Sequence, residues 1–142
     1  MPAIHFEQLN WWAIVTTTFT TMALGGVWYA ALFGKLWARL NGYSDEKLKH
    51  MQKARPPAVF FGGMIGAYFV LSVVVSVLSS WLGVNSAAHG AALGLALWLG
   101  VAAPIGITTF IAYDRPLGVY AIDLSYQCAF LVTTGAVIGG WH

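Results

Sequence analysis

Four long stretches of the chain run with almost no charged interruption, and short polar segments separate them. Apolar or small residues extend from Trp11 to Phe33, from Ala58 to Leu82, from Ala87 to Ala112 and from Leu117 to Trp141. Each reaches the roughly 20 residues that a helix needs to cross a hydrocarbon core. A helix on a soluble domain sets an apolar stripe against a charged one. These stretches are apolar or small all round, which predicts lipid-embedded helices. The expected fold is an all-α integral membrane protein, a four-transmembrane-helix bundle forming one domain over residues 1–142. No Lys or Arg precedes the first stretch, and it is too long for the core of a secretory signal. It is therefore expected to stay as a span.

The long connection, residues 34–57, has a pattern of its own. Lys35 to Leu40 reads as a continuation of the first helix, with Lys35 and Arg39 reaching to the headgroups. Asn41-Gly42 ends it. Ser44 is placed to cap a short helix with Asp45 and Glu46 in its first turn. Leu48 and Met51 share one face among Lys47, Lys49 and Lys53, and Pro56 makes Arg55 its expected end. This predicts a short amphipathic helix lying on an anionic inner leaflet. A solvated basic loop is the alternative.

Charge fixes the orientation. Charged residues make up 8% of the 142 positions, against roughly 25% in soluble domains. That excludes a soluble globule, a disordered tail and a nucleic-acid binder. Six of the seven Lys and Arg residues lie between the first two stretches, and Arg115 lies between the last two. The positive-inside rule then puts both termini outside and both charged connections in the cytoplasm. Trp11, Trp12, Trp81 and Trp141 fall at the outer boundary, and Tyr29, Phe33, Trp37, Tyr113 and Tyr120 near the inner one, as interfacial anchors do. Cys128 is the single cysteine, so neither an intrachain disulfide nor a cysteine-based metal site is available.

Small residues recur at helix-packing spacing: Gly62/Gly66, Gly90/Gly94 and Gly135/Gly139, with Thr17, Thr21 and Gly25 in the first stretch. Such faces permit close helix approach. With four helices, some are expected to meet a second copy. Pro104 removes a backbone donor inside the third stretch, which predicts a kink near Gly100 and a candidate hinge.

Asp123 is the one charged side chain within the four stretches. It lies about 9 Å beyond the inner boundary at roughly 1.5 Å per residue. Intramembrane carboxylates usually face a bundle interior or water, and they mark function. Tyr120, Tyr126, Gln127, Phe130 and Thr134 share its side of the helix. Trp28 and Tyr29, Met64 and Tyr68, and Thr108 and Thr109 are expected at the same depth, and Lys35 is within snorkelling reach. Three readings compete: a proton- or cation-coupled group, a neutral structural hydrogen-bonding group, or a group wetted near the interface. His89, at the outer end of the third stretch, is a weak metal-ligand candidate that needs ligands from elsewhere. A hydrogen bond to the neighbouring loop is the competing reading. With His5 and His142 it would form a pH-sensitive outer cluster.

The run Gly26-Val27-Trp28-Tyr29 and Leu32-Phe33-Gly34-Lys35-Leu36-Trp37, the stretch from Gly94 to Pro104, and Tyr126 with Gly135 to Trp141 carry a resemblance. The chain resembles a family of small four-helix bacterial membrane proteins catalogued as a domain of unknown function, number seventeen-sixty-one. The resemblance covers nearly the whole chain and implies an inner-membrane bundle. It supplies no activity. It also implies asparagine as the usual residue where Asp123 stands, which favours the structural reading of that carboxylate. From the residues themselves, a nucleophile elbow, HExxH, phosphate-binding loop and paired carboxylates are all missing. The expectation is a non-enzymatic protein without cofactor. Its best reading is a homo-oligomeric module that binds or conducts a small solute or cation along the polar face of the fourth span. The alternative is an accessory subunit packing in a larger membrane complex or binding lipids or pigments.

Overall fold

The computed structural model describes residues 6–141. A 3-10 turn, Phe6–Gln8, leads into α1, Trp11–Gly26, which runs on as a π-helical segment, Val27–Leu32. Phe33 breaks the rod. Then come α2, Gly34–Leu40, α3, Asp45–Ala54, and α4, Pro57–Trp81. Helix α5, Ala87–Leu97, a second π segment, Trp98–Ala102, and α6, Ala103–Ala112, form one continuous rod, and α7, Leu117–Gly140, completes the chain of helices. No strand occurs among the described residues.

Local chemistry explains the boundaries. Asn10, Ser44 and Ser86 each accept a hydrogen bond from the amide three residues on, capping α1, α3 and α5. Helix α3 ends where Arg55 turns extended before Pro56. Gly42 and Gly83 take positive φ values of 66° and 64° just past α2 and α4, a backbone conformation open to glycine without steric penalty.

Three rods are long and apolar enough to cross a membrane: Pro57–Trp81, Ala87–Ala112 and Leu117–Gly140. The first expected span falls outside that set, although the chain is helical from Trp11 to Leu32. Its five threonines dilute the apolar content. Two of them turn their hydroxyls back onto the helix: Thr17 donates to the Ala13 carbonyl at 2.9 Å and Thr18 to that of Ile14 at 2.8 Å. The expected continuation into Lys35–Leu40 is also corrected. Helix α2 is a separate helix after the break at Phe33.

The core lies where α1, the second half of α4 and α7 meet. Ile14 and Val75 are fully buried there with Thr17, Ser72 and Thr134. The Thr17 and Ser72 hydroxyls lie 3.0 Å apart, and those of Thr21 and Thr134 3.4 Å apart. These are polar ties between the helices. The most extensive contact is α5 against α7. A Cβ on Gly90 would strike the Gly135 carbonyl, and one on Gly139 would lie 2.9 Å from the Gly90 Cα. Gly62, Gly63 and Gly66 face open space instead. The first half of α4, from Pro57 to Gly63, is exposed throughout, so α4 leans away from its neighbours at that end. At the other end of the bundle the Asn10 side chain donates to the Trp141 carbonyl at 3.1 Å, so α1 starts where α7 ends.

Ahead of Pro104, where the sequence predicts a kink, the backbone changes to π-type hydrogen bonding. The Ala103 amide bonds the Trp98 carbonyl, five residues back. Pro104 thus lies in the first turn of α6, where its missing N–H costs least.

Candidate functional site

Asp123 stands in the second turn of α7 with its side chain 30% exposed. One carboxylate oxygen accepts from the Tyr29 hydroxyl at 2.7 Å and from the Trp37 indole at 3.0 Å. The other faces the Arg115 guanidinium at 3.9 Å, the long limit of an ion pair. Tyr29 arrives from the π segment of α1 and Trp37 from α2. Phe33 makes this possible: its amide bonds the Trp28 carbonyl, and the chain then turns so closely that a Cβ on Gly34 would collide with the Tyr29 carbonyl. Arg115 is returned toward α7 by the turn at Asp114, which holds a φ of 47°, and its amide bonds the Phe110 carbonyl.

One helical turn further along α7, the Tyr126 hydroxyl donates to the Thr21 carbonyl at 3.1 Å and lies 2.9 Å from the Tyr68 hydroxyl. Tyr126 commits its own proton to Thr21, so Tyr68 is the donor between the two. Ring contacts link Tyr43, Trp37, Tyr29, Tyr126 and Phe130 in series. Each π segment also contributes a tryptophan to α7. Trp28 donates to the Ile122 carbonyl at 3.3 Å and Trp98 to that of Leu124 at 2.9 Å. π turns are rare and often mark functional sites. Here they supply the two indoles that hold α7 on either side of Asp123.

A cavity of about 910 Å³ opens between α4, α6 and α7, and Asp123, Arg115, Tyr120 and Gln127 provide its polar lining with Thr109. Its walls are otherwise aliphatic and aromatic. The Gln127 Oε1 atom is buried there with no donor. Asp123 and Gln127 are four residues apart on α7 and so share a face. The cavity thus offers the Asp123 carboxylate to an incoming group, while Gln127 lines the wall with its own side-chain oxygen buried and unpaired.

Compared with known families, residues 12–139 match the model of a protein of unknown function, DUF1761. The chain belongs to the DUF1761 family. No curated protein and no solved structure matches it.

In this DUF1761 chain the residues read from sequence separate into groups. Asp123, Tyr29, Tyr68, Tyr126, Gln127, Tyr120 and Thr109 all line the cavity. Trp28 reaches α7 but bonds its backbone. Thr134 pairs with Thr21, away from the carboxylate. The Thr108 and Thr109 hydroxyls donate to the Ile105 carbonyl of their own helix at 2.8 and 2.9 Å, and neither bonds Asp123. Tyr120 donates at 3.4 Å to the Ala103 carbonyl. Lys35 does not reach Asp123, and Arg115 takes that place because the turn before α7 points it inward. His89 stands 3.2 Å from the Asn85 side-chain oxygen, and no group of three metal-ligating side chains occurs among the described residues. His5 and His142, the other members of the expected histidine cluster, lie outside the described residues. Trp37 and Arg115 are the partners that sequence reasoning missed. Trp37 reads as an interfacial anchor, and only the break at Phe33 turns it inward.

Proposed function

We propose that this protein is a four-span bacterial inner-membrane module that binds a small organic cation in the cavity beside Asp123 and hands it across the bilayer. The observation that carries the reading is the acceptor pair on α7. Asp123 supplies negative charge that Arg115 satisfies only at 3.9 Å, and Gln127 Oε1 is buried without a donor. A ligand bearing an ammonium with N–H groups would displace Arg115 from the carboxylate, and rotation of the Gln127 side chain would turn its unpaired oxygen onto the same group, while the ligand's apolar part meets the aliphatic wall. The largely apolar walls strengthen the contact with the carboxylate. Four spans with both termini outside suit the basic connections and the closeness of Asn10 to Trp141. A homo-oligomer would cover the open face at Gly62, Gly63 and Gly66. That same open face favours the second reading, an accessory subunit seated in a larger membrane complex.

Binding of hexylamine and of hexanol to the detergent-purified protein, tracked by tryptophan fluorescence, tests the proposal. The amine should bind at least about tenfold tighter than the alcohol, and Asp123→Asn should bring the two to near equality. Equal binding of amine and alcohol by the unaltered protein would sink the reading.

A further inference from the structure

A second cavity, of about 1470 Å³, lies on the other side of the Tyr29, Tyr68 and Tyr126 side chains, between the π segment of α1, α2, α3 and the leaning half of α4. Its floor is apolar in effect. The Tyr29, Tyr68 and Tyr126 hydroxyls are already engaged with Asp123, with one another and with the Thr21 carbonyl, so the rings are what the cavity meets. Phe60, Phe61 and Met64 of α4 form one wall, and Gly26 and Ala30 of α1 the other. A Cβ on Gly26 would touch nothing within 4 Å, so that wall borders free space. The mouth is different. Lys35 and Arg39 lie on its rim, four residues apart on one face of α2. Neither is paired with an acid among the described residues. Asp45 is the only acid on the lining, in the first turn of α3, where the helix dipole already favours it. A recess with a cationic rim and a long apolar interior has the polarity of a lipid turned inside out.

We propose that this cleft holds one anionic phospholipid. Its phosphate sits between Lys35 and Arg39, and one acyl chain runs along Gly26 and Ala30 against Phe60 and Phe61. Gly26 and Ala30 lie along the rod ahead of the break at Phe33, and Lys35 and Arg39 lie beyond it on α2, so the apolar wall and the cationic rim come from two helices. The two cations form charge-assisted bonds to the phosphate oxygens. The chain occupies the gap that the leaning α4 leaves open, which explains how so apolar a helix end stays apart from its neighbours. The proposal rests on the bilayer setting and not on the Asp123 cation site, so Asp123→Asn should leave it untouched.

Native mass spectrometry of the detergent-purified full chain, offered equal amounts of phosphatidylglycerol and phosphatidylcholine, provides the test. One phosphatidylglycerol should remain per chain, preferred over phosphatidylcholine by about tenfold or more. The double variant Lys35→Gln with Arg39→Gln should lose that preference, and Lys47→Gln with Lys49→Gln should keep it. Gly26→Leu puts a side chain into the space beside the Gly26 wall, so it should abolish the adduct while circular dichroism shows the helices intact. Equal retention of both lipids by the unaltered protein, or an unchanged preference in the Lys35/Arg39 variant, overturns the proposal. So does a lipid-free dimer that buries the cleft, or loss of the adduct to millimolar inorganic phosphate alone.

Discussion

Asp123 is held by neutral donors on one oxygen and by a distant cation on the other, and this division predicts how substitutions behave. Asparagine keeps an oxygen for the Tyr29 hydroxyl and the Trp37 indole. Asp123→Asn should therefore leave thermal stability in detergent nearly unchanged while removing the amine preference. Leucine strands both donors in a partly buried setting. Asp123→Leu should lower unfolding stability by about 1–3 kcal/mol, measured by thermal or denaturant unfolding in micelles. Comparable losses from Asn and Leu would contradict this division. The carboxylate itself was legible from sequence because no other charge interrupts the apolar stretches. Its partners were legible only where depth counting holds. Counting found Tyr29, which lies ahead of the break at Phe33, but it missed Trp37, which lies beyond that break, and Arg115, which lies beyond the left-handed turn at Asp114.

Helix contacts in this molecule divide the glycines into two kinds, although the sequence shows them all at the same four-residue spacing. Gly135 lies against the backbone of Gly90, so Gly135→Ala forces α5 and α7 apart and should cost about 1–3 kcal/mol. Gly62→Ala adds a methyl to open space and should be neutral or stabilising by up to about 1 kcal/mol. Unfolding in mixed micelles distinguishes the two, and equal effects would mean that the α5–α7 contact is not the tight one. The limits of the helices were readable within a residue or two, because caps, prolines and charged connections mark them. The π segments were not. Nothing at Val27–Leu32 signals a wider turn, and Pro104 signals a disturbance without saying that the Ala103 amide will reach the Trp98 carbonyl. Those backbone choices are settled by the indoles reaching α7, a tertiary effect.

At the scale of the whole molecule, the basic connections and the shared end of α1 and α7 lead to one expectation about placement. With Cys128 replaced by serine, a single cysteine at Gln52 should react with an impermeant maleimide only after the inner face is exposed. One at Trp141 should react in intact spheroplasts. Labelling of both positions from the same side would refute a four-span arrangement. That three rods are long and apolar enough to cross a membrane was legible from composition alone. The threonine-rich first helix was harder to place, because its hydroxyls serve the bundle interior and weaken the signal by which a span is recognised.

Each π turn holds about one residue more than the α turn it replaces, so each rotates the downstream helix face by roughly 100°. The chain makes that shift twice, once ahead of Phe33 and once ahead of Pro104. Trimming a single residue from Trp98–Ala102 would thread the lower half of the rod like a screw given a quarter turn too few. Ile105 and Thr109 would rotate off the cavity wall while every residue of the site stayed in the sequence. In this protein the position of a side chain depends on a count of residues upstream as much as on its own identity.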